Sequence, residues 1–289
     1  MIHLVYPFDT SKTAAPWSIG NHLAAGLRKA GHQVQQHQWD DMLAIQPAPG
    51  DVLIGHPHPE VGFVFRNSVC GPWAKTVAIS PWNGSEEYTA NLDYIPACGL
   101  LMAICGEHWH GELPREWGAI PLDMAVNPDH FPPLGHEFRP PGQRRFLYIG
   151  CTLPIKGPGK IAEVAQLQPV GHAGYGTIPG CTEHGYLDFS TDEGRAVLEE
   201  YDFLITLADH DANPTTVLEA MSWGLVPLCS PGSGYTAPDV VVVDSLSVIE
   251  YWQNAPVDRL LERQKMGFSL VRDKYTWERF TSQVLEVIK

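Results

Sequence analysis

Two carboxylates separated by seven residues, Asp211 and Glu219, bracket a helix start in Asp211-Ala212-Asn213-Pro214-Thr215-Thr216-Val217-Leu218-Glu219. Asn213 reads as the N-cap and Pro214 as the first helical residue, where a missing amide hydrogen costs nothing. The amides of Thr215 and Thr216 then project from the positive end of the helix dipole, an arrangement that binds anions. The plainer alternative is that Asp211 only complements the dipole and Glu219 lies on a solvated face. Against it, Glu219 sits between Leu218 and Ala220-Met221, in a helix that must pack on a sheet. A second segment, Tyr148-Ile149-Gly150-Cys151-Thr152-Leu153-Pro154-Ile155-Lys156-Gly157, is a strand, a tight turn and a lysine where the next helix begins. An ammonium there reaches a phosphate as a point charge; the alternative is an exposed lysine beside a glycine turn. A third segment, Val170-Gly171-His172-Ala173-Gly174-Tyr175-Gly176, is a glycine-rich loop after a strand. It lacks the GxGxxG spacing and does not favour a dinucleotide.

These segments need strands and helices to hold them. Ile2–Tyr6 is a short apolar run, followed by a loop through Pro16. Trp17, Ile19, Leu23, Ala24 and Leu27 then recur at helical spacing until Gly31 stops the helix. Val34 opens a second strand, residues 51–55 form a third and 76–79 a fourth. Strands alternating with helices imply parallel βαβ units. The rhythm breaks at 127–143, where Pro and charge accumulate as in a linker. It then restarts with strands at 145–150, 204–207, 225–228 and 240–243 and helices at 159–167 and 214–223. An amphipathic helix over 276–288, with Thr276 as N-cap, closes the chain. The reading is α/β: two Rossmann-like domains facing each other across a cleft, residues 1–142 and 143–275, with 276–289 rejoining the first.

The chain has 289 residues, 19 Lys and Arg against 33 Asp and Glu, and a net charge of −14. Both halves share the deficit, so nucleic-acid binding and docking on an anionic membrane are not expected. No apolar run approaches the ~20 residues of a membrane helix, and the amino terminus lacks the features of a signal peptide. The six cysteines are scattered without a CxxC, which reads as reduced thiols in a cytoplasmic protein. Thirteen histidines give only two close pairs, His56/His58 and His108/His110, and no ligand spacing completes either into a metal site. Trp17, Trp82 and Trp109 serve either as stacking platforms or as packing.

Taken in order, four segments resemble the retaining, nucleotide-sugar-dependent glycosyltransferases of the GT-B fold, family four. Pro121–Pro133 resembles that family's interdomain "IPNGVDxxxFxP". Phe146–Gly157 resembles "xxVGRLxxxKG", Tyr201–Pro227 resembles "ADxxxxPSxxEGxxxxxxEAMAxGxPV", and Tyr275–Phe280 its closing helix. The resemblance implies transfer of a sugar from a nucleoside diphosphate sugar to an acceptor hydroxyl, with retention and without metal or other cofactor. The acceptor is a carbohydrate, a lipid-linked molecule or a small molecule. Carried over, Asp211 contacts the donor sugar and Glu219 the ribose. Lys156 meets the phosphates, with Asn213, Thr215, Thr216 and Gly174 around the nucleotide. Ala15 stands where the family has a Gly-Gly loop. Three departures stand out: the first carboxylate is Asp rather than Glu, Cys151 occupies the place of an arginine, and Ala14-Ala15-Pro16-Trp17 replaces the two glycines. They motivate the rivals, a GT-B-shaped binding or scaffold protein and a sugar-nucleotide epimerase of the same fold.

Overall fold

Short, largely apolar strands, most buried at the centre of each sheet and more exposed at edge strands such as Val34–His37 and Thr182–Gly185, build two separate parallel sheets. The computed structural model describes all 289 residues except 13, 59, 85–94, 96–98, 114 and 136. In the first sheet β1 (Ile2–Val5), β2 (Val34–His37), β3 (Val52–Gly55), β4 (Lys75–Pro81), β5 (Leu100–Ile104) and β6 (Ile120–Leu122) lie in the order β2-β1-β3-β4-β5-β6. In the second, β7 (Phe146–Ile149), β8 (Val170–Ala173), β9 (Thr182–Gly185), β10 (Phe203–Thr206), β11 (Val226–Cys229) and β12 (Val241–Val242) lie in the order β12-β11-β10-β7-β8-β9. Register is set by apolar pairing: Ile2 lies opposite Val34 and Val52, and Phe203 opposite Phe146 and Val226.

The first sheet is flanked by α1 (Ala15–Lys29) and α2 (Phe63–Ser68). The second has α3 (Pro158–Ala165), α4 (Asp192–Leu198), α5 (Thr215–Trp223), α6 (Leu246–Asn254) and α7 (Val257–Asp273), and the chain ends in α8 (Trp277–Ile288). Strand order reverses once in each sheet, between β1 and β3 and between β7 and β10. Such reversals are where open α/β sheets bind ligands, at the carboxyl ends of the strands.

The chain divides into two units, one of residues 1–105, 109–124 and 277–289, the other of 106–108 and 125–276. The Pro-rich stretch expected to end the first domain at 142 therefore belongs to the second unit, and the boundary falls after Met124. The reason is hydrogen bonding. The Val126 amide donates to the Tyr275 carbonyl (3.0 Å), Leu134 to Trp223 (2.9 Å) and Gly142 to Gln253 (3.1 Å). The Arg139 amide donates to the buried Asp202 carboxylate at 2.9 Å. Fully buried Arg144 donates to the carbonyls of Arg139 and Trp252. The bonds to Tyr275, Trp223, Gln253 and Asp202 pin the stretch to the second unit.

In the first unit α1 buries Ile19, Leu23, Ala24 and Leu27. Its outer side meets α8, where Trp277 stacks on His22 at 4.6 Å. A side chain at Gly26 would put Cβ 2.4 Å from the Thr281 hydroxyl. Trp277, Phe280, Thr281 and Val284 are the buried residues of α8. No helix among the described residues is long and apolar enough to cross a membrane. Cys70, Cys105, Cys151, Cys181 and Cys229 are free thiols; Cys98 lies outside the described residues.

Candidate functional site

At the β7/β10 reversal the structure brings two of the sequence-derived residues into contact. Lys156 Nζ lies 2.6 Å from Asp211 Oδ1, with the carboxylate largely buried and the ammonium about one quarter exposed. Lys156 ends a short 3-10 turn, Pro154–Lys156, that follows β7. The turn must lie flat against the end of β10. Gly157 takes φ +69°, and a Cβ there would fall 2.2 Å from the Leu207 carbonyl oxygen, so the position requires glycine. The amide of Asp209 donates to the Ile155 carbonyl at 2.9 Å, locking the two loops together.

Asp211 is fixed from its own side as well. Its amide donates to the Gly232 carbonyl at 2.7 Å, and Oδ1 accepts the Ala212 amide at 2.8 Å. Asn213 is buried and left-handed, at φ +56°, and donates its amide to the Ser233 carbonyl. It is therefore not the N-cap. That place falls to Pro214, and α5 begins at Thr215, one residue later than expected. The left-handed Asn213 is what turns the chain from the Ser233 loop into the helix, a conformation asparagine tolerates better than most residues. Thr215 and Thr216 occupy the first turn, whose amides have no intrahelical acceptor. Glu219 follows one turn after Thr215, half-buried. Desolvation pushes its carboxyl up to about 7, and the Thr215 hydroxyl bonding to it acts the other way.

Gly174 belongs to the adjoining loop after β8. A Cβ there would stand 1.9 Å from the Gly150 carbonyl oxygen, so this close approach of two backbones excludes any side chain. Beneath it sequence reasoning missed His172. It is fully buried, with Nδ1 2.6 Å from Glu183 Oε2 and Nε2 3.0 Å from the Gly150 carbonyl. His172 and Glu183 are cross-strand partners of β8 and β9. A histidine in an otherwise apolar strand was the available signal. Cys151, in the place of the family's arginine, is half-buried, and its carbonyl accepts the Tyr148 hydroxyl at 2.7 Å. Burial, with Cys151 and Asp211 nearby, raises the Tyr148 phenol well above its usual range. The other lysine of this region, Lys160, is paired with Asp209.

Ala15 lies in the other unit, as the first residue of α1. At the β1/β3 reversal of that unit the strand ends carry rings. Tyr6 stacks on His56 at 5.7 Å, and His56 on Trp39 at 5.5 Å. His58 meets Trp39 edge-on at 5.4 Å. Desolvation pushes His56 down to about 3. Trp82 and Trp109 are buried in the core of this unit, which removes them as stacking platforms; Trp17 is half-buried under the Lys12 ammonium. Among the described residues no group of three His, Cys, Asp or Glu side chains is placed to hold a metal ion.

Two Rossmann-like sheets of this kind make the architecture of the GT-B glycosyltransferases, and the chain has that fold. It superposes on an alpha-glucosyltransferase (AGT) solved with UDP, with a TM-score of 0.64 over 100% of this chain and 99% of that one, at 8% identity. Sucrose-phosphate synthase from Thermosynechococcus elongatus gives 0.62 over 99% and 97%, at 12% identity. TarM gives 0.62 at 11% identity over 83% of this chain, which spans only 55% of TarM's length. No protein-family profile and no curated protein sequence matches the chain.

Proposed function

We propose that the chain is a glycosyltransferase that moves a sugar from a nucleoside diphosphate sugar to an acceptor hydroxyl with retention of configuration. The observation that carries this reading is the Lys156–Asp211 pair beside the first turn of α5, at the strand-order reversal of a GT-B fold. Lys156 and the first-turn amides of Thr215 and Thr216 take the diphosphate. Asp211 aims the ammonium in the free protein and accepts hydroxyls of the donor sugar when it binds. Glu219 accepts the ribose hydroxyls, with Asn213 and Gly174 shaping the loops around the nucleotide.

In the transfer step the bond from the anomeric carbon to the departing phosphate breaks through an oxocarbenium-like state. A bond to the acceptor oxygen forms on the same face, and the acceptor's proton leaves with the diphosphate. Charge that builds on the diphosphate is met by groups already in place, the economical form of electrostatic catalysis. No metal enters this scheme, so EDTA leaves turnover unchanged. The first unit, with Ala15 at the start of α1, serves the acceptor side. The free thiols among the described residues support a cytoplasmic location, where thiols are kept reduced.

Calorimetric titration with UDP, GDP and ADP, followed by product analysis with the corresponding sugar nucleotides, tests the reading. A nucleoside diphosphate that binds, and a glycosylated acceptor whose anomeric proton coupling matches the donor's, is the expected result. Failure of every nucleoside diphosphate to bind sinks it. The half-buried thiol at Cys151 favours a second reading, binding without transfer, because one cation fewer faces the leaving group. Nucleotide binding with neither hydrolysis nor transfer would select it. Processing of the donor with no acceptor present would select the epimerase instead.

A further inference from the structure

Two large rings stand in water on the same edge of the second sheet as Lys156 and Asp211. Tyr175, after β8, and Tyr186, after β9, are 67% and 69% exposed. They stack on each other at 5.3 Å between centroids, 29° from parallel. Their backbones are tied to the loop that leads to Lys156: the Thr152 amide donates to the Tyr175 carbonyl at 3.2 Å. Gly150 donates to Ala173 at 3.0 Å, and Gly174 to Gly185 at 2.8 Å. Gly176, the residue after Tyr175, takes φ +94° with no room for a side chain against Thr152. The pair is therefore held on a braced loop and presents ring faces to solvent.

Resting on the nucleotide-sugar reading above, we infer that Tyr175, backed by Tyr186, is the stacking platform for the nucleobase of the donor. Neighbouring strands lie about 4.8 Å apart, so β8 is roughly 10 Å along the sheet from β10. An extended nucleoside diphosphate has a length of that order. With its phosphates at α5, its base reaches the end of β8. The 5.3 Å gap between the tyrosines admits no third ring, since a ring slid between them needs roughly twice the shortest stacking separation. The base therefore lies on the outer face of Tyr175, and Tyr186 stiffens that ring from behind. A ring face recognises any base by its π-surface, so the platform confers affinity for nucleotides over bare phosphates rather than a choice among bases.

The test is titration of the full chain with UDP, GDP, ADP and inorganic pyrophosphate, in the wild type and in Tyr175→Ala, Tyr175→Phe and Tyr186→Ala. Unchanged melting temperatures confirm folding, as expected for exposed side chains. Tyr175→Ala should weaken the nucleoside diphosphate that binds by about 5- to 100-fold and leave pyrophosphate unchanged. Tyr186→Ala should weaken it by less, and Tyr175→Phe should stay within about twofold of wild type. Equal losses for pyrophosphate and nucleotide would mean a disturbed loop and overturn the platform. Unchanged nucleotide affinity with a raised KM for the acceptor would hand the rings to the acceptor and also overturn it. If the wild type binds no nucleoside diphosphate, the donor reading falls and the platform with it. If the wild type and Tyr175→Ala bind one equally well, only the platform falls.

Discussion

At the reversal of the second sheet stand an ammonium and a carboxylate, Lys156 and Asp211, 2.6 Å apart. At the reversal of the first stand two rings, Tyr6 and His56, stacked at 5.7 Å. The sheets share their parallel strands and a single change of strand order, so topology prepares the same kind of ligand edge twice. Side chains then divide the labour. The second edge concentrates charge where helix and loop amides are also available, and so suits an anion. At the first edge the imidazoles stay neutral: burial drives that of His56 down to about 3, and that of His58 below its usual value. Such an edge offers ring faces and a neutral imidazole, which suits an uncharged, hydroxyl-bearing molecule better than a phosphate. On the proposed reading, that contrast would put the donor at the second edge and the acceptor at the first, and the contrast can be attacked from either side.

The strongest attack is on the second edge. Lys156→Ala should lower turnover at saturating donor on the order of 100-fold, the size seen when a donor aimed at developing negative charge is removed. Steady-state kinetics with the best sugar nucleotide checks it. Turnover unchanged at saturation would confine Lys156 to ground-state binding and erase the functional contrast between the edges. Lys156→Arg should recover only part of the loss, because a planar fork does not replace a compact charge held against Asp211.

The first edge is tested through its resistance to protonation. In the unfolded chain His56 takes up a proton near pH 6.5; in the folded chain it does so near 3. The folded pKa is depressed, so the fold is penalised as pH falls below 6.5. At pH 5 the penalty is about 2 kcal/mol, from 1.36 kcal/mol per pH unit. His56→Phe keeps a ring against Tyr6 and Trp39 and cannot be protonated. Urea unfolding at pH 7.5 and pH 5 should therefore show a smaller acid loss in the variant than in the wild type. The same acid loss in both would mean that His56 accepts its proton in place, and the first edge would then be as able to hold charge as the second.

Sequence reasoning found the residues of the charged edge because their signals are local. Lys156 and Asp211 each follow an apolar strand by a few positions, and Pro214 marks a helix start within a residue. Of the aromatic edge, only the His56/His58 pair stood out in the sequence. Tyr6, Trp39 and His56 are widely spaced in the chain, and only the strand order β2-β1-β3 makes their rings neighbours. The His172–Glu183 pair is likewise created by register between β8 and β9. Asn213 was misplaced because its left-handed turn depends on the Ser233 carbonyl, twenty residues away. The Pro-rich strap was read as a linker because proline content reports missing amides but not where the remaining ones bond. Residues 246–273, left without an assignment by the sequence, are α6 and α7. In α7 only Leu260, Gly267 and Val271 are buried, an apolar stripe too thin to announce itself.

The smallest effect sharpens the contrast, because at Glu219 the second edge titrates near neutrality. Burial raises this carboxyl to about 7, so below that pH it is mostly protonated and above it mostly ionised. An ionised carboxylate is the stronger acceptor for ribose hydroxyls. Nucleoside diphosphate affinity should then rise severalfold between pH 6 and pH 8. The terminal phosphate also titrates in this range, so the informative quantity is the difference between the wild type and Glu219→Gln, which shares the phosphate and lacks the carboxyl. The glutamine variant should bind about tenfold more weakly at pH 8, with the gap narrowing at pH 6 as the wild-type carboxyl gains its proton. A gap that stays constant across the range would place the Glu219 carboxyl away from the ribose, and the charged edge would then end at the first turn of α5.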